Sequence, residues 1–201
     1  MQRTWFHRSS VAALLLITCA ATACSVREPA ITIEPAEWSL AEQIGEVLAG
    51  RSNEIRVTQR EVHPEDLAHF EAVVDSLERL NLGRTTFDDD SLRRLEAFKK
   101  LVQLRLQAPG ATDEGVSHLA ELGQLKYLHL IDVPVTDAGL EKLRSLARLE
   151  SLYLDHARVS EAGCRSFAEA RTDVHFHVDG DHPPGDPHDD HHHDQGESKT
   201  K

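Results

Sequence analysis

The chemically distinctive part of this sequence is its C-terminal tail, residues 179–201, where histidines and aspartates alternate with almost no apolar residues. Imidazole and carboxylate groups together suit Zn²⁺, Ni²⁺ or Cu²⁺. The pattern lacks the fixed ligand spacing of a structural zinc site, so any metal would bind loosely and exchangeably. Buffering or delivery of a divalent metal through this tail is therefore the alternative to a function in partner binding. We expect the tail to be disordered, because it has too little apolar surface to offset the entropy of ordering. Its candidate metal ligands are His182, His188, His191, His192 and His193.

Both groups of histidines, those of the tail and the pair just before it, also have an interpretation that needs no metal. The tail could serve only as an acidic solubilising segment, or as one whose charge changes with pH, because a free histidine is half protonated near pH ~6.5. Just before the tail, His175 and His177 would lie on one face of a strand about 6.6–7 Å apart, near enough to share a metal. For this pair we favour the alternative, in which polar side chains protect an exposed sheet edge.

Catalytic signatures are absent from the sequence. It contains no G-x-S-x-G, G-x-G-x-x-G, P-loop, H-E-x-x-H or C-x-x-C motif. Cys164 occupies the repeat position that Leu140 holds elsewhere, so we interpret it as a small buried hydrophobe rather than a nucleophile. We therefore predict that the protein is not an enzyme.

The elements that position these residues follow from an internal repeat. Leu101, Leu104 and Leu106 recur at steps of 24 residues in both directions along the chain. The second half of each unit recurs in the same register, as in Val135-Thr-Asp-Ala-Gly-Leu140, and a degenerate copy, displaced by one residue, begins at Ile55-x-Val57. The matching leucines are Leu77, Leu80, Leu82, Leu125, Leu128, Leu130, Leu149, Leu152 and Leu154.

Each unit predicts one short strand followed by one short helix. The Leu-x-Leu alternation places both leucines on one strand face, while Thr136 and Asp137 supply an N-cap hydroxyl and an acid in the first helical turn. Such a unit cannot bury its own leucines, so units must stack, with parallel strands on the concave side and helices on the convex side. A glycine recurs inside three of these helices and predicts a close approach of the neighbouring unit. The three are Gly115, Gly139 and Gly163.

The pattern Leu-x-x-Leu-x-Leu followed by Val-Thr-Asp-x-Gly-Leu-x-x-Leu resembles bacterial leucine-rich repeats, close to the cysteine-containing subtype. The resemblance covers Leu77 to about Phe167 well and residues 55–70 loosely. It implies an α/β leucine-rich-repeat solenoid that serves as a binding scaffold. The commonest repeats of this kind carry a buried asparagine ladder, and its absence here leaves the turn geometry open. The matching positions are Thr85, Pro109, Val133 and Ala157.

The residue between the two strand leucines is expected to face solvent on the concave side. Because adjacent strands lie ~4.8 Å apart, these residues should form a ladder of polar and aromatic side chains. Arginine and tyrosine are common among residues that dominate binding interfaces, so we hypothesise that a protein or peptide partner docks there; a merely solvated face is the alternative. The candidate contact residues are Asn81, Arg105, Tyr127, His129 and Tyr153. The ladder ends in Arg56 and His177, and a second row comprises Arg79, Gln103, Tyr127, Ser151 and His175.

Both ends of a solenoid need covering. Residues 35–50 predict an amphipathic capping helix that stops at Gly50 and covers the first unit of the repeat domain, residues 51–178. The side chains expected on its packed face are Leu40, Ile44, Val47 and Leu48. The last strand, near Val174–Val178, has no following helix, so we expect an exposed edge there.

The N-terminus has the layout of a secretory signal peptide, residues 1–23. Arginines precede a short apolar core, and Ala21-Thr-Ala23 precedes Cys24. A cysteine directly after the cleavage point resembles the lipobox of bacterial lipoproteins, although alanine stands where that family usually has leucine. The resemblance implies acylation of Cys24, a tether over residues 24–34 and, because Ser25 follows, the outer membrane of a bacterial cell envelope. A periplasmic or secreted soluble protein is the alternative.

Composition excludes several function classes. The chain carries 34 acidic against 22 basic residues and a net charge of −12, whereas nucleic-acid binders need a basic patch to displace counterions. Only 5% of residues are aromatic, which argues against a platform for stacking bases or sugars. With residues 1–23 removed and Cys24 acylated, Cys164 has no partner for an intrachain disulfide, so packing must supply the stability.

Overall fold

The computed structural model describes residues 38–183, and within them six strands form one parallel sheet. The strands lie in the sheet in chain order, so each pairs with its neighbours in sequence. They are β1 (Glu54–Val57), β2 (Arg79–Leu82), β3 (Gln103–Gln107), β4 (Tyr127–Ile131), β5 (Ser151–Asp155) and β6 (His175–Val178). Within residues 38–183 no helix is long and apolar enough to cross a membrane.

Short helices connect the strands and share one core with them. Helix α1 (Leu40–Leu48) precedes β1, and α2 (Leu67–Phe70), flanked by 3₁₀ turns, lies between β1 and β2. One helix follows each of the next four strands: α3 (Asp89–Leu95), α4 (Asp113–Leu119), α5 (Asp137–Leu143) and α6 (Glu161–Ala170). Consecutive helices from α3 to α6 pack against one another. The architecture is a leucine-rich-repeat solenoid, and the predicted fold class is confirmed.

The register of the sheet follows the repeat. From β2 to β6 the paired residues are 24 positions apart, as where Leu104 pairs with Leu128. Ile55 of β1 pairs instead with Leu80, so the extra residue of the degenerate first copy is absorbed before β2. In β2 to β5 both leucines of each Leu-x-Leu are buried in one continuous core. Each such side chain stabilises the fold by about 1.5–3 kcal/mol relative to exposure, which is why the units are stable only when stacked.

Hydrogen bonds between consecutive units join the helix N-termini. Asp113, in the first turn of α4, accepts from the backbone N–H of Thr136 (2.8 Å) and from its hydroxyl (2.5 Å). That hydroxyl also accepts from the backbone N–H of Ala138, so it caps α5 at the same time. The same pair of bonds joins Asp89 to Thr112 and Asp137 to Ser160.

The recurring glycines make room for this contact. A Cβ built on Gly115 would lie 3.0 Å from the backbone Cα of Asp89 and closer still to its carboxylate. The backbone N–H of Gly115 also donates to that carboxylate over 3.0 Å. Cβ atoms on the other two glycines would meet the aspartate of the preceding unit in the same way. The expectation of close approach is confirmed, and the neighbour is an aspartate.

The positions of the missing asparagine ladder are filled differently in each unit. The buried Thr85 hydroxyl donates to the carbonyl of Gln107 over 2.7 Å, Pro109 is exposed, and Val133 is buried. The turns after β4 and β5 place Asp132 and His156 in the left-handed region, at φ 54° and 59°. Asp and His are among the non-glycine residues most often found there.

The capping helix is shorter than expected and turned differently. It begins at Leu40, after Ser39, whose side chain and backbone share a capping box with Glu42; residues 35–37 lie outside the described range. Val47 is buried, but Leu48 is 62% exposed, so its predicted place on the packed face is wrong. The amide of Gln43 explains the orientation: it accepts from Arg56 N (2.7 Å) and donates to Arg56 O (2.8 Å), covering part of the free edge of β1.

The chain after β6 is ordered for longer than expected. The sequence predicts a disordered tail from Asp179 onwards. In the structure, residues 179–183 instead form a turn in which the chain reverses direction. Asp179 and Gly180 have φ values of 53° and 86°, and Val178 and Asp181 exchange backbone hydrogen bonds of 2.9 and 3.0 Å. Positive φ at both central residues makes this a type I′ turn, for which Asp-Gly is a preferred sequence. Residues 184–201 lie outside the described range.

We predict that Gly115→Ala destabilises the protein by about 1–3 kcal/mol, the usual range for overpacking, even though alanine is the better helix former. The new Cβ would displace either the Asp89 carboxylate from its bonds or the backbone of α3. Urea denaturation followed by circular dichroism measures the change in the free energy of unfolding.

Gly45→Ala is the matched control, because a Cβ at Gly45 of α1 meets no atom within 4 Å. There the substitution should stabilise the protein by about 0.5–1 kcal/mol. Equal effects at the two glycines would contradict the role assigned to the Asp89 contact.

Candidate functional site

The open face of the sheet, opposite the buried leucines, carries two rows of side chains in register. The middle row runs across all six strands. The second row contains the residue two positions earlier on each strand, nearer the strand N-terminus. Both rows are those that the sequence predicts, and their placement is confirmed. The middle row is Arg56, Asn81, Arg105, His129, Tyr153 and His177. The second row is Arg79, Gln103, Tyr127, Ser151 and His175, to which the structure adds Glu54 of β1.

A shallow depression of about 390 Å³ lies at the centre of this face. Its floor is the backbone of β3 and β4 at Leu104 and Leu128, whose side chains are buried in the core, and its walls are outward side chains, four of which are predicted contact residues. The lining is Gln103, Leu104, Arg105, Tyr127, Leu128, His129, Ser151 and Tyr153. The fifth predicted residue, Asn81, lies beside it and accepts a 3.4 Å hydrogen bond from Arg105.

Tyr127 is the most exposed aromatic residue of this depression. Its side chain is 42% exposed, and its hydroxyl donates to the Glu150 carboxylate over 2.8 Å. This bond raises the pKa of the Tyr127 phenol. Lys126 also donates to Glu150, at 2.6 Å, and the two bonds together lower the pKa of that carboxyl. The phenol is therefore held in place at its polar end while its ring stays open to solvent.

His129 and Tyr153 link the depression to the end of the sheet. His129 Nε2 lies 2.7 Å from a carboxylate oxygen of Asp155 on the neighbouring strand. The rings of His129 and Tyr153 are tilted at a centroid distance of 5.6 Å, and Tyr153 stacks on His177 at 4.8 Å and 8°. The described part of the face thus changes from charged side chains at β1 and β2 to packed rings at β5 and β6.

A cluster of three histidines lies beside Tyr153. The type I′ turn brings His182 back over the sheet, so that one ring nitrogen from each of His175, His177 and His182 lies within 4.8 Å of the others. All three side chains are half-buried. His175 and His177 face the open side of the sheet together, as alternation requires, and contact each other and Tyr153.

The sequence interpretation placed His182 in the tail and the other two histidines on a strand, and did not bring them together. The signal that could have done so is Asp179-Gly180, a preferred pair for a turn that reverses the chain. The remaining candidate ligands, His188, His191, His192 and His193, lie outside the described residues, as does Cys24.

A second chain of polar contacts runs along the turns after β3 to β6. The Asp132 carboxylate accepts from Gln107 (2.5 Å) and contacts His156 Nδ1 (2.6 Å), and the backbone N–H of His156 donates to Asp179 (2.6 Å). The bonds from Gln107 and His156 lower the pKa of Asp132. The same carboxylate raises the pKa of His156. These surface contacts lie near the positions of the asparagine ladder of common repeats.

Cys164 is buried inside the last repeat helix, and burial raises the pKa of its thiol. A nucleophilic cysteine needs a lowered pKa and access to solvent. The prediction that it acts as a small buried hydrophobe is confirmed.

Comparison with known proteins adds a fold likeness. No protein-family model matches the chain, and no curated protein matches it. Among solved structures, it is similar to the leucine-rich-repeat ectodomain of the Arabidopsis receptor kinase HAESA, solved with an N-terminally extended IDA peptide hormone. The match has 17% sequence identity and a TM-score of 0.38, and it covers 59% of this chain and 21% of the ectodomain chain.

The Asp132–His156 pair predicts a pH-dependent stability. A raised histidine pKa contributes stability that is fully present below about pH 6.5 and is lost as pH rises through the folded value. A lowered aspartate pKa contributes stability that is present above about pH 3.9 and is lost as pH falls through the folded value. The pair should therefore stabilise the fold most between about pH 4 and 6.5.

His156→Asn tests this, because asparagine tolerates the left-handed backbone at that position. The difference in urea midpoint between wild type and variant should be largest near pH 5–6 and should shrink as the solution becomes alkaline. Asp132→Asn should remove the same pH-dependent contribution of the pair to the urea midpoint. The double variant should show no further loss of that contribution. A difference that stays constant with pH would refute the pairing.

Proposed function

We propose that this protein is an interaction scaffold, anchored in a bacterial cell envelope, that binds a protein or peptide partner through the open face of its sheet. The observation that carries this proposal is the central depression, which is lined by Arg105, Tyr127 and Tyr153. Arginine and tyrosine in such a pocket are the residue types enriched among binding hot spots. The buried leucines and the contacts between helix N-termini account for the fold, so the outward residues of the sheet are free to vary for recognition.

Arg105 indicates the chemistry of the partner. Among residues 38–183 it has no ion-pair partner, and its one hydrogen bond, to Asn81, is long at 3.4 Å. A guanidinium group binds carboxylates best, because its parallel N–H donors match both oxygens. We expect the partner to place an aspartate, glutamate or C-terminal carboxylate over Arg105, with apolar groups against the rings of Tyr127 and Tyr153.

His129 and Asn81 would complete the contact surface. The imidazole of His129 is already oriented by Asp155, so binding would lose little side-chain entropy there. The protein as a whole is acidic, and the depression therefore offers a local positive group within a negative field. Local complementarity of this kind favours specificity and correct orientation more than raw affinity.

The partner proposal is tested by affinity capture from an envelope extract with the mature protein as bait, followed by identification of the recovered protein. Tyr127→Ala with Tyr153→Ala should reduce recovery at least tenfold, because hot-spot truncations commonly cost about 2 kcal/mol or more. Arg165→Ala is the control: Arg165 is exposed on α6, away from the open face. If the double variant recovers as much partner as wild type does, with an unchanged circular dichroism spectrum, the proposal is wrong.

The anchor is proposed on sequence grounds. Cleavage before Cys24 and acylation of its thiol would hold the mature chain at the membrane, with residues 24–34 as a tether. Several acyl chains on one residue anchor stably, whereas a single chain is marginal. Ser25 favours the outer membrane under the sorting pattern that the lipobox resemblance implies.

Metabolic labelling with a fatty-acid analogue tests the anchor. Wild type should incorporate label and fractionate with membranes, and Cys24→Ala should lose both the label and the membrane association. Cys164→Ala is the matched control and should label normally, because Cys164 is buried within the repeats. Unlabelled wild type in the soluble fraction would favour the periplasmic or secreted alternative instead.

A further inference from the structure

We propose that His175, His177 and His182 form a binding site for a divalent transition metal, of which Zn²⁺ is the ion best suited to three imidazoles and an open fourth position. The site shares Tyr153 with the central depression, but its three metal ligands lie outside the depression and need no partner on the sheet. It differs from loose binding along the tail, because its three ligands lie on ordered backbone.

The distances between the ring nitrogens suit a tetrahedral ion. Zn–N bonds of 2.0–2.1 Å place two ligand nitrogens of a tetrahedral site about 3.3–3.4 Å apart. The Nε2 atoms of His175 and His177 are already 3.0 Å apart, and the nitrogens of all three residues lie within 4.8 Å. Coordination by all three residues would need the His182 nitrogen to approach the other two by about 1.5 Å at most.

The surroundings of His175 accommodate the tautomer that a metal ligand needs. Its Nδ1 lies 3.3 Å from the Tyr153 hydroxyl, and an Nδ1–H that donates to this oxygen leaves the lone pair on Nε2. That Nε2 is the atom facing His177. Zinc-ligating histidines usually donate their other ring N–H to an oxygen in this way, which orients the ring and raises its basicity. Tyr153 is thus a positioning residue for the metal.

Tyr153 also fixes His177, by packing rather than by a hydrogen bond. The two rings stack at a centroid distance of 4.8 Å and an interplanar angle of 8°. His182 packs on the other two imidazoles at 4.1 and 5.1 Å. A preorganised set of ligands loses less entropy on binding than ligands that must be ordered by the metal.

The backbone that carries His182 is constrained as well. Asp179 and Gly180 adopt the two left-handed conformations of the type I′ turn, and the bonds between Val178 and Asp181 close it. The turn holds His182 one residue beyond a closed hydrogen-bonded pair. The three histidines are half-buried, and a metal held by them would take its fourth ligand from water or another donor.

Calorimetric titration of the full mature chain with Zn²⁺ alone, on metal-free protein and without any partner, tests the site. Wild type should bind with a tight step near one equivalent. His182→Ala should weaken that step at least tenfold, and its unchanged circular dichroism spectrum would exclude unfolding as the cause. His69→Ala is the matched control, since His69 is an exposed histidine on α2 outside the cluster, and it should bind as wild type does.

Two further variants separate this site from the tail and from simple ring packing. Substituting His188, His191, His192 and His193 together by alanine should leave the tight step in place. Tyr153→Phe keeps the stacked ring and removes the hydroxyl, so it should weaken the step by about 10–100-fold, as loss of outer-shell partners does. Absence of a tight step in wild type, its survival in His182→Ala, or its loss in the tail variant would each overturn the proposal. Because no partner is present, failure here leaves the interaction proposal untouched.

Discussion

The contact between each aspartate and the hydroxyl residue of the next unit sets the spacing on which the rest of the structure depends. Asp113 accepts two hydrogen bonds from Thr136 while standing in the first turn of its own helix, where the helix dipole favours a negative charge. Thr136 in turn caps the helix that follows. A Cβ in place of Gly139 would collide with the Asp113 carboxylate and disturb these hydrogen bonds. One small cluster therefore starts each helix, caps the next and fixes the distance between them.

With that spacing fixed, the two faces of the sheet follow separate rules. The inner face must carry leucine or a close equivalent at every position, since each unit completes the core of the next. The outer face only has to tolerate water, so its residues can differ from strand to strand without loss of register. This freedom is visible in the middle row, where an arginine, an imidazole and a phenol succeed one another at Arg105, His129 and Tyr153.

The sequence could predict those features of the fold that are determined by the 24-residue period. The parallel strands, the buried leucines and the outward rows, including Arg105 and Tyr127, follow directly from steps of 24 residues. The orientation of α1 could not be derived this way, because Leu48 and Val47 are both apolar, whereas the contacts that bury Val47 and join Gln43 to Arg56 are specific to the first unit. The histidine cluster could not be predicted from the period, because its third member, His182, lies beyond the last repeat. There a single turn with two left-handed residues, not periodicity, determines where His182 lies.

The two ends of the solenoid show why the last unit is a reasonable place for a ligand. Terminal repeats contact only one neighbour and are the first to open. At the C-terminal end, Arg171 donates to the carbonyls of Arg144, Leu146 and Leu149, tying α6 to the preceding unit on the helical side. On the sheet side, among the described residues, β6 pairs beyond β5 only through one isolated antiparallel bridge between Val178 and Asp181. An ion held by residues both of β6 and of the returning chain would close that side as Arg171 closes the other, because a ligand that binds only the folded state stabilises it by mass action.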